Sequence, residues 1–241
     1  MTESTEFLIG SLREDRARLL SLAGGDLDLA VPTCPGWNLR ELLIHLGRVH
    51  RWAGGAMESA PTADWPDFPP RPSPGTDLGS WIVEGIDALI ERFSTTDLDR
   101  PCWGFAGDAD LRWWLRRQTL ETALHRWDGQ NTGGSPDPID GDLAVVGVDE
   151  WCELESSRWF KPQPGLSATV HLHATDGDGE WLLRISPEGF TWQHGHHKGD
   201  IAVRAPRAEL YLILWNRRGI EGAEVFGDTG ILSNLLAATA V

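Results

Sequence analysis

Long hydrophobic runs are missing from this chain of 241 residues. No stretch approaches the roughly eighteen consecutive apolar residues that mark a membrane-spanning helix, so none is expected. A basic leader is missing too: Glu3 and Glu6 stand where a signal peptide would carry Lys or Arg ahead of an apolar core. Positive charge is scarce throughout. Lys and Arg number 21 against 36 Asp and Glu, a formal net charge of −15. That balance argues against nucleic-acid binding, which needs a Lys/Arg patch for phosphate contacts, and against docking on an anionic membrane. Cysteine is sparse. Cys34, Cys102 and Cys152 are odd in number and widely spaced, which speaks against a disulfide framework or a Cys-rich zinc site and for reduced thiols in the cytoplasm. Walker A and Gly-x-Gly-x-x-Gly phosphate loops, internal repeats and low-complexity tracts are all absent from the sequence.

What is present is an ordinary globular composition, 41% hydrophobic and 24% charged. The length suits one large domain or two modest ones. Thirteen tryptophans stand against one tyrosine, a bias read as core and interface packing, with some indoles lining a pocket.

Apolar periodicity predicts four amphipathic helices: 4–23, about 39–57, about 77–93 and 111–130. Gly24-Gly25 ends the first. The second follows the turn Pro32-Thr-Cys-Pro-Gly-Trp37, with Asn38 as N-cap and Glu41 at capping-box spacing. Pro61–Pro74 and Asp97–Asp110 read as irregular loops. Four such helices argue for a bundle, in which sites are built from side chains on facing helices. A fifth helix is expected at 141–160, and Lys161-Pro-Gln-Pro-Gly165 reads as a linker. Beyond it the period changes to two. Ser167–Ala174 and Glu180–Ile185 read as a hairpin across Asp176-Gly-Asp-Gly179, followed by short strands at 189–192, 200–204 and 224–226 and helices at 206–215 and 230–238. The expected fold is α+β in two domains: a helical bundle over 1–160 and a small α+β domain over 166–241.

The chemistry concentrates on the fourth helix. Glu121 and His125, four residues apart, share one face. His45 lies between Leu42 and Val49, on or beside the inward face of the second helix. Two histidines and a carboxylate are the ligand set of an open catalytic zinc site, and they also suit iron, nickel or manganese. Spacing alone leaves open a buried His–Glu network that merely stabilises the bundle. His50, five residues from His45, points elsewhere. His171 and His173 alternate along a strand and share a face, but no third ligand is evident, and a packing role is expected. His194, His196 and His197 read as an exposed polar turn, with opportunistic metal binding as the lesser alternative.

Pro35-Gly-Trp-Asn-Leu-Arg-Glu-Leu-Leu-Ile-His45, with Glu121-Thr-Ala-Leu-His125-Arg-Trp-Asp128, resembles the mycothiol-dependent maleylpyruvate isomerase family, whose N-terminal part is a DinB-like metal-binding four-helix bundle. Thr169–Asp176, Gly179-Glu-Trp181 and Trp215-Asn-Arg-Arg-Gly219 resemble its C-terminal, SCP-like domain. The resemblance implies a divalent metal, usually zinc, on His45, Glu121 and His125. It also implies mycothiol as thiol cosubstrate, a small electrophilic substrate and a catalytic arginine, for which Arg218 is the position most alike with Arg217 as its neighbour; the plainer reading, that both arginines only complement a helix C-terminus, stands beside it. By the same likeness Asp128 orients a ligand or caps a neighbour. Two other classes are weighed beside the thiol-dependent enzyme: a non-catalytic ligand- or partner-binding module of the same fold, and a metal-dependent hydrolase that activates water. Cys34 is expected to be a buried structural thiol.

Overall fold

The computed structural model of the chain describes residues 4–160 and 167–239; the linker expected at 161–165 lies outside them. The chain forms two compact units, Met1–Pro138 and Ile139–Val241.

The first unit is the four-helix array. Helices α1 (Thr5–Ala23), α2 (Leu39–Ala56), α3 (Leu78–Thr95) and α4 (Leu111–Gln130) each begin at a side-chain cap. Ser4 accepts from the Phe7 N–H, Asn38 from Glu41, Asp77 from Ser80 and Asp110 from Trp113, each such cap being worth about 1 kcal/mol. Leu12, Leu19, Leu42, Leu43, Leu46, Ile82, Ile86, Leu115 and Leu120 are fully buried where the apolar stripes meet. Gly47 lets α2 approach α3 closely: a Cβ there would run into the Trp81 ring.

Helix α4 departs from the amphipathic expectation. Its arginines read as polar positions between apolar ones, yet Arg117 and Arg126 are buried along with Gln118, Thr119, Thr122 and Asp128. A buried guanidinium needs partners. Arg126 finds Asp15 of α1 at 3.0 Å, the Asp137 carbonyl at 2.6 Å and Gln130 at 2.9 Å. The helix is thus wrapped on all sides and can present polar groups to the interior.

The connection after α3 is not wholly irregular, for β1 (Pro101–Cys102) pairs antiparallel with β2 (Ala109–Asp110). Trp52, Trp65, Trp103 and Trp114 cluster beside it: Trp52 stacks on Trp65 and meets Trp114 and Trp103 edge to face, 5.5 and 5.6 Å between ring centres. The Pro61–Pro74 loop is tied to α2 by Arg48, which donates to the Pro69 carbonyl and covers the Phe68 ring, and by the Trp52 indole, which donates to the Pro66 carbonyl.

In the second unit α5 (Gly141–Leu154) packs on α6 (Arg207–Leu214), with Gly147 pressed on the Tyr211 ring. The division therefore falls at Pro138, earlier than the expected 160–166, because the apolar face of α5 is buried against the later helix. Strands β3 (Ala168–Ala174), β4 (Glu180–Ser186), β5 (Gly189–His194), β6 (Ile201–Ala205) and β7 (Glu224–Phe226) form one sheet in the order β5-β4-β3-β6-β7. Only β3 and β6 run parallel. Helix α7 (Thr229–Ala238) follows the sheet in sequence. The observed class is the expected one, a helical unit followed by an α+β unit. Among the described residues no helix is long and apolar enough to cross a membrane.

Candidate metal centre

Helices α2 and α4 bring the three expected ligands together. Glu121 Oε1 lies 3.4 Å from His45 Nε2 and 3.3 Å from His125 Nε2. One donor atom from each of the three falls within 4.8 Å of the others. The His45 and His125 rings meet edge to face, 5.2 Å between centres.

The surroundings orient each ligand. The other oxygen of Glu121, Oε2, accepts from the Arg117 guanidinium one turn back, so a single oxygen faces both histidines. Burial pushes the Glu121 carboxyl towards protonation, but Arg117 and then His125 outweigh it and hold its pKa well below the usual range. His125 Nδ1 lies 2.9 Å from Asp128 Oδ2. With the proton on Nδ1, the Nε2 lone pair faces Glu121 and His45, the carboxylate–histidine arrangement common behind bound metals. Asp128 is itself held by the Thr33 hydroxyl at 2.6 Å.

Cys34 is not the buried structural thiol expected. It is partly exposed, and its thiol meets Asp128 Oδ2 at 3.5 Å. Cys34, His125 and Asp128 form a second group of convergent donors sharing His125 with the first. The tight turn through Gly36, whose φ is +85°, carries Trp37 over the cluster. Its ring centre is 4.8 Å from that of His45 and 6.3 Å from that of His125.

The donor set fits a divalent metal. One monodentate carboxylate and two imidazoles are convergent, one histidine is fixed by a carboxylate behind it, and the His45 side chain retains 31% exposure as a route for solvent. His50 takes no part. It is fully buried with Nε2 3.0 Å from the Thr122 hydroxyl, and burial drives its pKa down to about 3. A cavity of about 690 Å³ opens elsewhere, at the start of α4 among Leu8, Pro61, Ala109, Trp113 and Arg116. The metal site is not among its lining residues.

Arg217 and Arg218 lie in the second unit, just past α6. Asn216 adopts a left-handed φ of 56°, and the N–H groups of both arginines turn back to the Leu212 carbonyl. The Arg217 guanidinium donates to the Trp215 carbonyl, while that of Arg218 lies 3.9 Å from Glu209 Oε1.

Sequence reasoning missed Thr33 and Arg117 as supports of the ligands. The Glu–Arg spacing of four on one helix was the available sign for Arg117; nothing local pointed to Thr33.

Comparison with known proteins follows the same lines. The family model described as the mycothiol maleylpyruvate isomerase N-terminal domain matches residues 10–129, and the MDMPI C-terminal domain model matches residues 142–233. No curated protein matches the chain by sequence search. A crystal structure of the mycothiol-dependent maleylpyruvate isomerase superposes with a TM-score of 0.64 at 13% identity, over 92% of this chain and 93% of that one. A mutant of that enzyme, one histidine replaced by alanine, superposes with a TM-score of 0.63 at 12% identity. These are likenesses of fold over nearly the whole length. Together the two family models span most of the sequence, and the chain belongs to the mycothiol-dependent maleylpyruvate isomerase family.

Proposed function

We propose that this protein is a zinc-dependent enzyme that uses mycothiol as a nucleophile towards a small electrophile. The thiol is either transferred or used to drive a cis–trans isomerisation. The observation that carries the reading is the convergence of His45 and His125 on one oxygen of Glu121, with Arg117 and Asp128 holding the carboxylate and the imidazole from behind. A stabilising network would not need two ring nitrogens aimed at the same oxygen at 3.3 to 3.4 Å, beyond good hydrogen-bond length.

His45, Glu121 and His125 would hold the metal; when bound, it supplies a Lewis acid that keeps a coordinated thiol ionised. Arg117 keeps Glu121 charged, and Asp128 fixes the tautomer of His125. The thiolate forms a bond to an electrophilic carbon as the electron pair of the adjacent double bond moves into the substrate. It either remains attached, the carbon bearing that pair taking up the proton the thiol lost, or leaves after rotation about the former double bond, the pair re-forming that double bond and the sulfur regaining its proton. Arg218 is the proposed partner for a carboxylate of substrate or thiol, where a guanidinium binds in a forked geometry. The three cysteines, none of them in a disulfide, suit a reducing compartment, and the cytoplasm is the proposed location.

The test combines metal content with turnover. Tag-free protein is expected to carry zinc at the bundle site, to lose it in His45→Ala and Glu121→Ala, and to bind it 10- to 100-fold more weakly in Asp128→Asn. Turnover of maleylpyruvate should require both added zinc and mycothiol. Turnover with zinc and no thiol would turn the assignment to a hydrolase, and an intact bundle that takes up no zinc would leave a ligand-binding module.

A further inference from the structure

Another constellation lies in the second unit, where the sequence offered His171 and His173 with no evident third ligand. The sheet supplies two more. Glu180 on β4 is the cross-strand partner of His173 on β3, and the two side chains meet at 2.8 Å, Glu180 Oε1 to His173 Nδ1. The turn after β5 returns His196 to the same carboxylate, with Nδ1 3.0 Å from Glu180 Oε2. His171, two residues from His173 on the same face, brings Nε2 to 3.7 Å from Glu180 Oε2. One donor atom from each of the four lies within 4.8 Å of the others. The imidazole rings are mutually edge-on, 5.1 Å between His171 and His196 and 5.9 Å between His171 and His173.

The turn carrying His196 is built to stay there. Gly195 adopts a φ of +118°, a region that side chains disfavour, and its N–H donates to the Glu180 carbonyl at 3.0 Å. At the other end Gly199 lies so close to β3 that a Cβ would come within 2.9 Å of the His171 nitrogen and 3.0 Å of the Thr169 carbonyl. Asp200 closes the loop by accepting from the Thr169 N–H and hydroxyl, both at 2.8 Å. Arg204, beside His173 in the sheet register, has its guanidinium paired with Glu224 on β7 at 3.1 Å.

An ion-pair network explains only part of this. Glu180 satisfies His173 and His196, but Nε2 of His171 is buried, has no hydrogen-bond partner among the described residues and stops 3.7 Å short of the carboxylate. The His171 residue is 6% exposed. An orphaned ring nitrogen aimed at three other donors is costly as a hydrogen-bonding group and natural as a ligand.

We propose that His171, His173, Glu180 and His196 form a second metal site, selective for a divalent first-row transition ion of the zinc class. Three imidazoles and one carboxylate make the four-coordinate nitrogen–oxygen set that zinc accepts, and copper and nickel compete for such ligands. The ion clips the His196 turn to the β3–β4 pair. Because His196 is largely exposed, with 77% of its side chain open to solvent, the site fills and empties without unfolding the sheet.

The test uses full-length, tag-free protein and zinc itself, read by elemental analysis after dialysis and by calorimetric titration. Two equivalents are expected. The double variant His45→Ala/Glu121→Ala should keep one, and His196→Ala should lose the other or weaken it at least tenfold. His196 is exposed, so its replacement leaves the sheet intact, as circular dichroism will check. Glu180→Gln serves as a second probe through a different ligand. Cobalt substitution in the His45→Ala/Glu121→Ala background should give the visible absorption of a four-coordinate ion, absent in His196→Ala. A single equivalent that vanishes with His45→Ala/Glu121→Ala overturns the proposal, as does a second equivalent unaffected by both His196→Ala and Glu180→Gln. A single equivalent that vanishes with His196→Ala sustains this site and overturns the bundle site instead.

Discussion

Glu121 does more for the candidate site than either histidine. It touches both rings with one oxygen and Arg117 with the other, so its charge is fixed before any ligand arrives. A different carboxyl, Glu155 past the end of α5, shows the opposite treatment. It is buried, neither oxygen is hydrogen-bonded among the described residues, and burial raises its pKa to about 7. The folded chain therefore holds this proton more tightly than the unfolded one, whose carboxyl titrates near the ordinary value of 4.5. Its contribution to stability is complete below the unfolded pKa and is lost as pH rises towards 7. Glu155→Gln should remove that slope and leave the variant more stable than the parent at pH 8, by up to about 3 kcal/mol. Urea midpoints at pH 5 and pH 8 measure it; an equal loss at both values would mean that the carboxyl is a needed partner.

At the scale of elements, the approach of α2 to α3 at Gly47 sets where His45 stands. Gly47→Ala places a methyl against the Trp81 ring and should destabilise the bundle by about 1–3 kcal/mol, the usual cost of overpacking. Zinc affinity should weaken alongside, since the ligand helix must shift. A thermal melt and a zinc titration on the same variant check both, and an unchanged affinity would show that α2 adapts without moving His45. The helices themselves were legible in the sequence because their signals are local. Asn38 announces the start of α2 three residues ahead of the N–H group it receives, and the apolar period marks the other helices, whose caps Asp77 and Asp110 the structure adds. The burial of α4 was not legible, because Asp15, the partner that makes Arg126 tolerable inside, lies more than a hundred positions away in sequence. His196 joined His171 and His173 for the same reason: strand pairing and a glycine turn brought it there, and no spacing rule connects them. The β1–β2 pair escaped notice because two residues per strand leave no period to read. The candidate ligand triad lay between these cases. Glu121 and His125 were visible as a helical pair, while His45 joined them through the family pattern.

Over the whole molecule, the excess of acids sets the response to salt. Many surface arginines are already paired: Arg16 with Asp87, Arg71 with Glu41 and Arg112 with Asp99, at 2.6 to 2.8 Å. Such exposed pairs contribute about 0–1 kcal/mol each and weaken as salt is added. A net charge of −15 spreads repulsion over the entire surface, and screening relieves it. We expect the repulsion to dominate, so that Tm rises by a few degrees between about 10 and 200 mM sodium chloride, where each 1 kcal/mol is worth about 2–4 °C at this size. Calorimetry at the two ionic strengths decides it, and a falling Tm would put the ion pairs ahead.

Trp37 has a role apart from packing. Its indole lies 4.8 Å from one ligand ring and 6.3 Å from the other, within the range at which a protonated imidazole or a paramagnetic ion drains an excited indole. Whether the bundle centre is empty, protonated or filled is thus written into the light this one side chain emits. Trp181 and Trp192 lie 5.9 and 5.2 Å from the His194 ring and answer pH as well, so the difference between the parent and Trp37→Phe on adding cobalt, both carrying His196→Ala, isolates the share of Trp37. The turn that shields the centre also makes it a native optical gauge, readable in a cuvette with no label attached.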